Sequence, residues 1–177
     1  AEKYFGELQA GTRPDRMSAR AALAQDINLL LEDRVELPRL YLAWHSPAMY
    51  AFGDADLDLA ADLLANGKTS RLYRRLVYDS RIALDVSAFQ NSRELASFFL
   101  LAVTAAPGQS LNDITARVDD ELRMLAASGP TPDEMERGLA QAEAHFMYRL
   151  QTIGGFGGKS DQLNAYNVLL GTPGYFT

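Results

Sequence analysis

The sequence predicts an α+β fold, an antiparallel sheet with helices packed on one face, and three observations carry that prediction. From Ile82 the apolar period changes from near 3.6 to 2, so a helix delivers the chain directly into a strand. Phe98–Ala105 is a nearly continuous apolar run behind the polar break Asn91–Glu94, which suits a buried strand joined to the previous one by a hairpin. Beyond Pro107 and Gly108 the period is helical. Strands followed by helices favour segregated layers over an alternating parallel sheet.

Residues 1–26 read as a linker from a preceding domain, because Gly6, Gly11 and Pro14 interrupt mixed charges that keep no period. Residues 27–177 read as the folded unit, truncated at its C-terminus. Asn28–Glu36 is expected as a short strand or edge ribbon. Pro38 opens a firmer strand, in which Leu40, Leu42 and Trp44 alternate with Arg39, Tyr41 and His45 until Pro47. Gly53 and Asp54 begin a helix whose apolar face is Leu57, Ala60, Ala61 and Leu64. Gly67 suits the positive φ that ends it, and Thr69 or Ser70 is placed to cap the next helix. There Leu72, Leu76 and Val77 share one face, while Arg71, Arg74, Arg75 and Asp79 are expected in water. The strand that follows puts Ile82, Leu84, Val86 and Ala88 on one side and Asp85 and Ser87 on the other.

Leu111, Ile114, Val118, Leu122 and Leu125 recur at helical spacing until Gly129 and Pro130. Thr131, Pro132 and Glu134 then supply the cap, the first-turn proline and the capping-box acid of another helix. Its buried stripe is expected to be Met135, Leu139, Phe146 and Leu150. After the turn Gly154–Gly158, a last helix turns Leu163, Tyr166 and Leu170 inward and closes at Gly171 and Pro173.

A chain of 177 residues can bury roughly 70% of its unfolded surface, enough for one principal domain. The net charge of −6 argues against nucleic acid as a partner, since a sequence-independent surface for it needs a basic face. The absence of cysteine excludes disulfides and thiolate metal sites. No apolar run is long enough to span a bilayer, and the first residues lack the pattern of a signal peptide. The beginning at Ala1 and the stop just after a helix read as those of an excised piece, which leaves a signal peptide on a parent chain open.

Several short motifs give way to plainer readings. Neither H-E-x-x-H nor H-x-x-E-H occurs, and Glu143 and His145, two apart on a helix, point away from each other. Asp54, Asp56 and Asp58 imitate the start of a calcium loop, but Leu59 stands where its glycine belongs and Ala65 where its glutamate belongs. Carboxylates at the positive end of a helix explain them better. The GKT at Gly67 and the GKS at Gly158 lack the first glycine of a phosphate loop, that position being Asp62 in one and Ile153 in the other.

The stretch GKTSRLYRRLVYDSRIALDVSAFQ resembles the S-R-L-[FY] helix and following strand in the C-terminal half-domain of the pitrilysin/insulinase family of zinc metallopeptidases, which includes the mitochondrial processing peptidases. LPRLYLAWHSP is similar to the first long strand of that half-domain, and GGFGGKSDQLNAYNVLLGTP to its late Gly-rich turn and helix. The resemblance implies a metallohydrolase half-domain of the processing-peptidase type, bacterial in style and periplasmic. It implies peptide hydrolysis by a zinc-activated water, with zinc held in a preceding N-terminal domain and no cofactor in this segment.

The implied partners are that zinc-bearing half-domain, a second half or subunit, and a peptide substrate. Many members carry an Arg on this helix and a Tyr on the strand, positions that fall here on Val77 and Leu84, neither able to hydrogen-bond an oxyanion. The resemblance therefore gives no catalytic or metal-ligating residue in this segment, and the segment alone is expected to be inactive. Asn66, Gly67, Lys68 and Thr69 are similar to a shortened form of the Gly-rich loop that handles substrate in processing peptidases, and are the substrate-chamber candidates. Two other readings remain open: a structural, non-peptidase member of the family, or an independent α+β binding module.

Overall fold

The computed structural model describes residues 2–9, 11, 12, 15, 17 and 22–175. After a single helical turn, α1 (Glu2–Phe5), the chain runs through β1 (Arg39–Ser46), α2 (Asp54–Ala65), a π-helix (Tyr73–Asp79), β2 (Ala83–Asn91) and β3 (Ser97–Ala105). It ends in three helices, α3 (Leu111–Ser128), α4 (Pro132–Gln151) and α5 (Lys159–Leu170). The linker expected over residues 1–26 lies partly outside the described residues. Residues 22–38 form neither helix nor strand, so the strand expected at Asn28–Glu36 is not made. Val35 N–H turns back to Asp33 O at 2.9 Å instead of crossing to a neighbour, and Leu29, Leu30 and Leu31 stay exposed.

The sheet is antiparallel throughout, in the order β1-β3-β2, with β2 and β3 joined as the expected hairpin. Ser97 Oγ closes that hairpin by accepting from Arg93 N–H at 2.9 Å. The pleat sends Phe99, Leu101, Val103 and Ala105 of β3 inward to meet Leu72 and Leu76, Ala61 and Leu64 of α2, and Ile114 and Val118 of α3. The register places Tyr41, Phe89, Phe98 and Leu100 together on the other face, where Tyr41, Phe89 and Phe98 are exposed.

Four details depart from the sequence reading. A bulge sets Ala83 opposite Ala105 and Asp85 opposite Thr104, which leaves Leu84 unpaired and 54% exposed while Ala83 takes the buried position. Arg71 and Arg75 do not point to water, because both are drawn into ion pairs with α3 and α4. Ser70 Oγ donates to Gly67 O at 2.7 Å rather than capping the helix that follows. The stripe expected on α4 is only half realised: Phe146 and Leu150 are partly buried, but Leu139 is 51% exposed and Met135 is exposed too.

The reason lies in how α4 docks. Its one buried residue is Gly138, set against Leu59 and Leu63 of α2, so the face that meets α2 is offset from the apolar stripe. A Cβ at Gly138 would stand 2.6 Å from Leu59 Cδ1 and 3.3 Å from Leu63 Cδ2. Gly138→Ala is expected to be nearly neutral, since the tip of Leu59 can rotate away and alanine gains about 1 kcal/mol of helix propensity. Gly138→Phe has no such escape and should cost about 1–3 kcal/mol by overpacking. Thermal midpoints of the two variants side by side check this.

Candidate functional site

The turn Asn66–Thr69 links α2 to the central helix, which begins at Arg71 and continues as the π-helix Tyr73–Asp79. Gly67 sits at φ 78° with nothing near its missing Cβ, so backbone conformation alone calls for glycine there. Asn66 N–H closes α2 on Asp62 O at 3.1 Å, and Asn66 Nδ2 donates to Asp62 Oδ1 at 2.9 Å. Lys68 and Thr69 are exposed. Between Asn66, Thr69 and Ser70 on one side and Arg137 and Gln141 of α4 on the other lies a hollow of about 20 Å³, room for one water. The four candidates thus share one exposed turn.

Val77 packs against the core, whereas Leu84 stands out on the bulge, so neither offers a polar group. His45 lies on β1 across from Phe98, and His145 is exposed on α4. Among the described residues no group of three His, Asp or Glu is placed to hold a metal, and no helix is long and apolar enough to cross a membrane. Asp54, Asp56 and Asp58 part company: Asp54 is buried and accepts from Tyr50 N–H (2.9 Å), Gln90 Nε2 (3.0 Å) and Ser92 Oγ (2.6 Å), tying the start of α2 to the β2–β3 hairpin.

Among the described residues the largest ionic cluster surrounds Arg71. Its Nε and Nη2 grip Glu134 at 2.8 and 2.7 Å, Nη2 also donates to Gly129 O at 3.1 Å, and Nη1 lies 3.6 Å from Glu121 Oε1. Arg75 Nη1 donates to Glu121 at 2.9 Å. Glu134 meanwhile completes the predicted capping box, accepting from Thr131 N–H at 2.8 Å. The Arg71 guanidinium, chiefly through its hydrogen bonds, holds the Glu134 carboxyl down to about 2, with Thr131 assisting. One arginine thus joins the central helix to the end of α3 and the start of α4.

Sequence reasoning missed a second feature, a cavity of about 540 Å³ at the far end of β2 from Leu84. Tyr50, Asp58 of α2, Phe89 of β2, Phe146 and Arg149 of α4, and Gln162 of α5 all reach it. Tyr50 has φ 61°, and its hydroxyl accepts from Gln162 Nε2 at 3.0 Å. Burial pushes the Tyr50 phenol up. Burial first, then the charges of Asp54 and Asp62, push the Asp58 carboxyl up, with Arg149 opposing. These residues come from five separate segments, and no local pattern announces them.

Comparisons with known proteins bear on the fold just described. The family model described as the peptidase M16 inactive domain matches residues 1–142. A protease from Helicobacter pylori has a similar structure, with a TM-score of 0.68 at 23% identity over 79% of this chain and 33% of that one. The inactive peptidase domain of a candidate zinc protease from Bordetella parapertussis gives 0.55 at 22% identity, over 66% and 64% of the two chains. The peptidase M16 inactive domain from Pseudomonas fluorescens gives 0.53 at 18%, over 59% and 26%. At these identities the likeness shows the fold, and the chain spans less than two thirds of each of the three structures. Among curated proteins no match is found.

Proposed function

The chain belongs to the family of peptidase M16 inactive domains, and from that premise we propose that it is the non-catalytic C-terminal half-domain of a zinc-dependent metalloendopeptidase, forming part of the chamber in which peptides are hydrolysed. The observation that carries the reading is the family match over residues 1–142. The sheet supports it: helices cover one face, and the other presents Tyr41, Phe89, Phe98 and Leu100 as an apolar and aromatic wall. Such a face suits an enclosing partner or an extended peptide.

Zinc and the general base belong, in this proposal, to a preceding half-domain, and a second half or subunit closes the chamber. Val77 and Leu84 add no hydrogen-bond donor, which leaves this half a shaping role. The exposed turn Asn66–Thr69 is the proposed point of substrate contact, and a periplasmic location is part of the same proposal.

A mixing experiment tests it. The purified chain is dialysed against zinc and assayed on unfolded peptides, alone and with its cognate zinc-bearing half. Alone it should neither hold stoichiometric zinc nor cleave; with the partner, chelator-sensitive cleavage should rise. Cleavage by the chain alone with stoichiometric zinc, lost on His45→Ala or His145→Ala, would overturn the proposal.

A further inference from the structure

The cavity beside Tyr50 is of a size that small ligands occupy, and one residue of its wall, Tyr50, is held in a strained backbone conformation. Tyr50 lies in the left-handed region, rare for an aromatic residue, and is fixed there by its N–H bond to Asp54 and by Gln162 on its hydroxyl. Because that hydroxyl accepts from Gln162, its own proton is available to a guest. Arg149 reaches the rim from α4 without an ion pair among the described residues, and Arg93 adds a second cation at the edge.

Asp54 uses its carboxylate on Tyr50, Gln90 and Ser92, so it shapes the wall, while Asp58 has no hydrogen bond or ion pair among the described residues. An ammonium alone would be opposed by the two guanidinium groups, and a dianion such as phosphate by Asp58. A carboxylate with an amide N–H two bonds away offers its single charge to a guanidinium and a hydrogen-bond donor to the Asp58 carboxylate. Phe89 and Phe146 offer an apolar surface beside it.

We propose that this cavity binds the C-terminal residue of a peptide: the α-carboxylate on Arg149 and the Tyr50 hydroxyl, the last N–H directed to Asp58, and an aromatic side chain against Phe89 and Phe146. The site stands at the opposite end of β2 from Leu84, apart from the positions where family members carry Arg and Tyr. It rests on the peptide-chamber reading only for the source of the peptide, since binding is a property of this chain itself.

Titration calorimetry of the 177-residue chain with a tripeptide of two alanines and a C-terminal phenylalanine, and with its C-terminal amide, is the test. The acid should bind, and the amide about tenfold or more weakly, because a charge-assisted pair is lost. Arg149→Met should bring the acid down to the affinity of the amide with the thermal midpoint unchanged, Arg149 being exposed. Tyr50→Phe, which keeps the ring, should lose several-fold. Equal affinities for acid and amide, an unaffected Arg149→Met variant, or no binding at millimolar peptide overturns the proposal. Binding without cleavage in the mixing experiment supports the cavity and overturns the chamber reading, while cleavage without binding overturns the cavity alone.

Discussion

Arg71→Met is expected to destabilise the chain by about 3–5 kcal/mol, because it strips Glu134 of its only cation among the described residues and Glu121 of one of its two, and both carboxylates are mostly out of water. The Arg71 side chain is 14% exposed, and those of Glu121 and Glu134 are 9% and 16%. Methionine keeps the apolar stem and removes the charge, so the loss falls on the ionic contacts rather than on packing. Glu121 retains Arg75, but Glu134 keeps only its capping-box bonds to Thr131, and Gly129 O loses a donor at the end of α3. For a chain of this length the thermal midpoint should fall by about 6–20 °C. A midpoint within a degree of the parent would show that the cluster is a surface decoration.

The same pair fixes an acid limb. A carboxyl lowered in the folded state contributes stability that is fully present above its unfolded value, near 4.5, and is lost as pH falls toward about 2. The stability gap between parent and Arg71→Met should therefore be constant above pH 5 and shrink as the pH is brought down to about 2. A gap that stays constant across that range would mean that Glu134 is not the group at stake.

The hairpin was legible in the sequence because a two-sided apolar strand after a polar break has few other uses, and Phe99, Leu101 and Val103 do form the inner face. The capping box at Thr131 and Glu134 was legible because all its parts lie within four residues. The bulge at Leu84 was not, since one extra residue changes which side chains turn inward without changing the composition of the strand. Arg71 and Arg75 look like solvent-facing charges until partners 45–63 positions away arrive to meet them. The candidate turn Asn66–Thr69 was visible through its glycine, whereas the cavity is assembled from side chains whose nearness only the tertiary fold creates. Leu29–Leu31 show the opposite failure: the sequence predicts a strand or edge ribbon over Asn28–Glu36, and among the described residues these leucines join no strand and stay exposed.

Leu76→Ala should be the most costly truncation of the central helix, at about 2–5 kcal/mol, with a fall in the thermal midpoint of about 4–20 °C. Leu76 is 0% exposed and lies among Leu72, Val86, Leu101 and Val103, where the helix meets the sheet. The π geometry raises the stake, because its wider turn is closed by Ser80 N–H on Arg75 O, and Leu76 O then accepts from Ile82 N–H to hand the chain to β2. The residue therefore anchors the junction through its side chain and its carbonyl together. Alanine leaves the carbonyl in place, so the loss should reflect the emptied volume and the limited freedom of its neighbours to close it. Leu84→Ala, on the exposed bulge of the same strand, is the internal control and should cost under about 1 kcal/mol. Equal losses at the two positions would mean that Leu76 does not occupy the core position described.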